Sequence, residues 1–121
     1  MTNSVKVALI GLIKQICPNI YSGKSAVVYP KTNLWIKQIE DSSYRSRYAV
    51  TLDFFTKGED SEDSELLAEK VEKHITMNKS RLENGYMSIY KSGSGGLIEY
   101  KDSEKISHYT DSYEVIFYKE E

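Results

Sequence analysis

Between Arg45 and Lys57 apolar and polar side chains alternate. Tyr48, Val50, Leu52 and Phe54 fall on one parity, Ala49, Thr51, Asp53 and Phe55 on the other. A helix cannot keep a period of two, because residues i and i+2 point to different faces of it. A strand does so by construction. The run therefore predicts a long β-strand with one face turned to a core, and a strand needs neighbours to satisfy its backbone. The nearest candidate precedes it. From about Asn33 to Asp41, Leu34, Ile36 and Gln38 lie on one side, and Trp35, Lys37 and Ile39 on the other. Few residues, Ser42 and Ser43 among them, separate the two runs, so an antiparallel pair is expected.

Helical periods flank this pair. In residues 3–17, Val5, Leu9, Leu12, Ile13 and Ile16 recur at steps of three and four. Asn3 or Ser4 can cap that helix, and Pro18 stops it by forcing its predecessor out of the helical region. A second helix, about Glu62 to Asn78, carries Leu67, Val71, His74 and Ile75 on its apolar stripe. It is entered from the acidic loop 58–65, where Asp60 or Ser61 can cap. Ile20-Tyr21 and Ala26–Tyr29 are short β-prone pieces around a turn at Ser22–Ser25. Tyr86 to Lys91 alternates again, Ser92–Gly96 reads as a turn, and Leu97–Lys101 as the returning strand. Asp102–His108 reads as a polar connection. In the last strand, about Thr110 to Lys119, Tyr113, Val115 and Phe117 oppose Glu114, Ile116 and Tyr118. Apolar residues on both its faces predict an interior strand, or one buried by a partner. The expectation is one α+β domain over 1–121: an antiparallel-rich sheet of about four to five strands, two helices packed on one face, in the order α-β-β-α-β-β.

Composition narrows function by exclusion. Sixteen basic and eighteen acidic residues leave a net charge of −2, without the basic stripe of a nucleic-acid module. One cysteine, Cys17, allows no internal disulfide and fits a reducing cytoplasm. With His74 and His108 alone beside it, a zinc site lacks its usual ligands. The apolar stretch Val7–Ile13, broken by Gly11, is too short to span a bilayer, and no signal-peptide cleavage site follows it.

No motif specifies a reaction. Ser22-Gly23-Lys24-Ser25 ends like a phosphate-binding loop, but Pro18 stands where the first glycine is needed, and a strand-prone piece follows in place of a helix. The Gly93–Gly96 run opens no helix. Glu59, Asp60, Glu62 and Asp63 lack calcium-loop spacing and read as a solvated helix entrance. His74 reads as a satisfied, half-buried histidine. His108, beside Ser107 and near Asp111, is not a triad by sequence proximity. Cys17, at a helix end, reads as a buried small hydrophobe. Arg45 and Arg47 share a strand side near Tyr44 and Tyr48; pairing with Glu40 or Asp41 accounts for them as well as nucleic-acid binding does. Ten tyrosines fit either strand propensity or interfaces. No enzyme activity, metal, cofactor, membrane or specific nucleic-acid partner is expected.

In layout the chain resembles the tail terminator, or tail completion, proteins of long-tailed phages and prophages. The resemblance rests on an amphipathic first helix, a turn near Ile20-Tyr21, the strand pair Leu34–Ile39 and Tyr48–Phe55, and the helix Leu66–Ile75. A hairpin and the closing strand Tyr113-Glu114-Val115-Ile116-Phe117-Tyr118 complete it. The stretch from Tyr29-Pro30 to Trp35 departs from that pattern. The resemblance implies a virion structural protein assembled in the bacterial cytoplasm. It would form a ring, commonly a hexamer, that caps the tail tube, ends its polymerisation and presents the head-joining surface. Partners would be the tail-tube protein, with sheath and neck proteins as further candidates. Residue type and position mark Trp35, Arg45, Arg47, Tyr48, Phe54, Phe55, Tyr113 and Tyr118 for the subunit or tube interface, and Glu59, Asp60 and Asp63 for a lumen or neighbouring-ring loop. The alternatives are another neck or head-completion subunit, or a small regulatory or inhibitor protein.

Overall fold

A computed structural model describes residues 2–23, 28–57, 63–77, 80–82, 84–101 and 104–120. The elements run α1 (Thr2–Lys14), β1 (Ile20–Tyr21), β2 (Lys31–Asp41), β3 (Arg45–Lys57), α2 (Asp63–Met77), β4 (Ser80–Leu82), β5 (Gly85–Lys101) and β6 (Glu104–Lys119). They build a curled six-stranded sheet in the order β1-β2-β3-β6-β5-β4. The sheet is mixed, because β1 runs parallel to β2 while the other neighbours are antiparallel.

The period-two run is β3, over its expected span, with β2 and β6 on either side. Its inward parity, Tyr48, Val50, Leu52 and Phe54, is buried. The register carries that parity across the sheet: Leu34 lies opposite Leu52, and Tyr113 opposite Val50. Leu34, Met87, Ile89, Tyr113, Val115 and Phe117 complete the sheet side of the core. The helices supply the other side through Val5, Leu9 and Ile13 of α1 and Ala68, Val71 and Ile75 of α2. Leu12, Ile16 and Leu67, three more of the expected stripe residues, pack partly buried at its margin. β6 is the interior strand that its two apolar parities predict.

Several expectations need correcting. The sheet has six strands, since short β1 and β4 extend it at both ends. Ser92–Gly96 is no turn. β5 runs 17 residues straight through it, and the chain reverses after Lys101. The glycines pair with β6, Gly93 with Ser112 and Gly96 with Tyr109, after a bulge between Lys91 and Gly93. That bulge breaks the alternation that would have marked the strand. The stretch read as a polar connection is likewise β6 from Glu104 onward. Residues 26–27 lie outside the described ones, and Val28 and Tyr29 are not strand. Gly11 is exposed, with open space where a Cβ would stand.

Candidate functional site

Both helices pack on the same face, so the opposite face of the sheet is uncovered among the described residues. The parities that point away from the core meet there: Trp35 of β2, Arg47, Asp53 and Phe55 of β3, and His108, Thr110, Glu114 and Tyr118 of β6, with Tyr86 and Tyr90 of β5. Trp35 is 50% exposed, Tyr90 52% and Tyr86 42%, large apolar areas for a sheet surface.

Asp53 organises one half of this face. Its Oδ2 accepts from Trp35 Nε1 at 2.9 Å. Its Oδ1 accepts from Thr110 Oγ1 at 2.7 Å and lies 3.0 Å from His108 Nε2. The imidazole stacks on Phe55, ring centroids 4.2 Å apart. Lys31 Nζ stands over Phe55 at 5.2 Å and over Tyr29 at 5.3 Å. Register explains the assembly: Asp53 faces Asn33 and Thr110, and Phe55 faces Lys31 and His108. An exposed tryptophan ring is thus fixed by a hydrogen bond, which lowers the entropy lost when a partner covers it.

Ion pairs organise the other half. Arg47 bonds Glu40 Oε2 at 2.8 Å and also pairs with Glu114 across the strand. Arg45 reaches Glu40 at 3.4 Å. The Arg47 hydrogen bond, above all, holds the Glu40 carboxyl below its ordinary value; Glu40 and then Glu114 raise Arg47. At the same end of the sheet but on the core parity, Lys119 bonds Asp41 at 2.7 Å and, with Ser46, lowers that carboxyl. Tyr86 and Tyr118 stack at 5.2 Å. These groups are substantially exposed, so they orient one another more than they stabilise the fold.

A third network lies on the helix side. Asp111 is fully buried, with Tyr113 Oη 3.2 Å from its Oδ2 and Lys91 Nζ 3.5 Å from its Oδ1. Lys91 also bonds Glu72 of α2 at 2.7 Å. Desolvation, outweighing Lys91, pushes the Asp111 carboxyl up; desolvation, with Asp111 next, raises the Tyr113 phenol.

The open face therefore gathers Trp35, Arg45, Arg47, Phe55 and Tyr118 from the interface candidates. Tyr48, Phe54 and Tyr113 belong to the opposite parity and are buried beneath the helices, so they are removed from any surface. Glu59 and Asp60 lie outside the described residues, and Asp63 opens α2. Sequence reasoning missed the Asp53 cluster. The sequence alone reads His108 as the end of a polar connection, and only the β3–β6 register brings it to Asp53. His74 is half-buried and bonded to Gln15 at 2.8 Å, and Cys17 is buried, as expected. Among the described residues, no three His, Cys, Asp or Glu side chains are grouped to hold a metal ion. No described helix is long and apolar enough to cross a membrane. No family model and no curated protein matches the chain.

Proposed function

We propose that the chain is a structural subunit of a phage or prophage tail, a terminator that assembles as a ring on the end of the tail tube. The observation that carries this reading is the uncovered sheet face, whose side chains are held in fixed positions by one another. An antiparallel sheet often keeps one face in water, but here Trp35, Tyr86 and Tyr90 project from that face, and exposed aromatic side chains of this size are what a partner covers. Tryptophan, tyrosine and arginine are the residues that anchor protein interfaces. The Asp53 cluster fits this role better than a catalytic one. Both carboxylate oxygens are occupied by fixed donors, Trp35 Nε1 and Thr110 Oγ1, which hold the carboxylate in place. A second copy, the tube protein and the neck proteins are the partners in this reading, with assembly in the bacterial cytoplasm.

Co-expression with a tail-tube protein from the same phage or prophage genome tests the proposal. Tubes of uniform length, each bearing the chain at one end, are expected. Tubes whose length and ends ignore the chain would refute it.

A further inference from the structure

The sheet carries two long edges that are barely paired among the described residues. β1 covers β2 only at Thr32 and Asn33, leaving the outer edge of Leu34–Asp41 free. β4 covers β5 only at Gly85, Tyr86 and Met87, leaving the edge from Ser88 to Lys101 free. A free edge presents a row of backbone donors and acceptors, a ready template for another strand. The β5 edge offers little obstruction: Lys91–Gly96 are exposed, and Gly93 and Gly95 have open space around the Cβ position.

The two edges are complementary in direction. The four long strands β2, β3, β6 and β5 alternate, so β5 runs opposite to β2. A second copy, moved along the sheet without being turned over, brings its β2 antiparallel to β5 of the first. The helices of both copies then lie on one side and the open faces on the other. We propose that the second copy docks in this way, β5 edge to β2 edge, extending one antiparallel sheet from subunit to subunit. A contact through two copies of β5 would leave every β2 edge bare, whereas this heterologous contact satisfies both edges in each subunit.

The short strands set the stagger. β1 occupies the space beside β2 at Thr32 and Asn33, so the incoming β2 cannot lie level with its own sheet's frame. It must slide until its free run lies beside the distal part of β5, beyond Ser92. A stagger repeated from subunit to subunit is the kind of shear that accompanies closure of a sheet into a barrel. The closure, though not the edge contact, rests on the ring reading above.

Hydrogen–deuterium exchange resolved by peptide tests the contact. It is run on the intact chain when dilute, when concentrated, and with tail-tube protein, with native mass measured alongside. The edge amides affected are the alternate ones that do not already bond β3 or β6. On assembly they are expected to slow by about tenfold or more in 34–41 and in the part of β5 beyond Ser92 together, while 88–92 stay unchanged. Slowing in 88–101 alone would mean a two-fold pairing of β5 with itself and would overturn the proposal. A closed oligomer in which neither segment slows would overturn the edge contact and leave the ring standing. A chain that stays monomeric with tube protein present would overturn both.

Discussion

Phe54 and Phe55 are neighbours in sequence with opposite fates. Phe54 is fully buried under the helices, whereas Phe55 lies on the open face against His108. An aspartate at 54 must carry its charge into the core or protonate, so Phe54→Asp is expected to cost more than about 4 kcal/mol and leave the chain unfolded. Phe55→Asp should keep a cooperative urea transition and lose binding of the tail-tube partner that covers the open face. Asp111 makes a prediction with a definite pH window. Burial raises its carboxyl above the ordinary 3.8, so the folded state holds the proton more tightly than the unfolded state. Stability from this group is complete below the unfolded value and is lost as pH rises through the folded one. Asp111→Asn removes that loss. Its urea midpoint should gain on the parent chain as pH rises from below about 4 toward neutrality. The lowered carboxyls of Glu40 and Asp41 act oppositely, stabilising above their unfolded values and losing that contribution in acid, but they cancel in the comparison. A difference that shrank as pH rose would show Lys91 outweighing burial.

At the level of elements, β5 shows where sequence reasoning stops. The strands β2 and β3 and both helices are legible because each buries one face and keeps one period. β5 hides behind its composition: five residues of glycine and serine look like a turn, and only pairing with β6 makes them a strand. The same error moved His108 from a strand to a loop and hid the Asp53 cluster, which depends on register. The glycines of this strand are not equivalent. Gly85 has φ +155°, and a Cβ there would stand 2.0 Å from the Tyr118 carbonyl oxygen. Gly85→Ala is expected to cost about 2–4 kcal/mol in thermal or urea unfolding, because a backbone atom must move. Gly95→Ala meets nothing and should be neutral or stabilising by up to about 1 kcal/mol. Equal effects at the two positions would contradict the β5–β6 register.

Among the described residues, the molecule has two unlike faces and two barely paired edges. Its helices and the inner parity of the sheet close a core, while the outer parity is left to Trp35, Asp53, Arg47, Tyr86, Tyr90 and Tyr118. The sequence placed Trp35 opposite Leu34 and Ile36, and Arg45 with Arg47 on one side of β3, but not which side faced the core. It could not show that Tyr48 and Tyr113 share the core parity with the helices above them, because a tyrosine serves either face of a sheet. Nor does alternation within one strand reveal which strands are left with a free edge. That depends on β1 and β4, two short pieces with little signal of their own.

Solution mass across a wide concentration range, with and without the tail-tube protein, tests the ring most directly. A subunit whose edges pair head to tail and close should give one discrete species, near six times 13.9 kDa for a hexamer, with no ladder of larger polymers. A strict monomer under both conditions, or a two-fold dimer that tube protein leaves unchanged, would contradict the account.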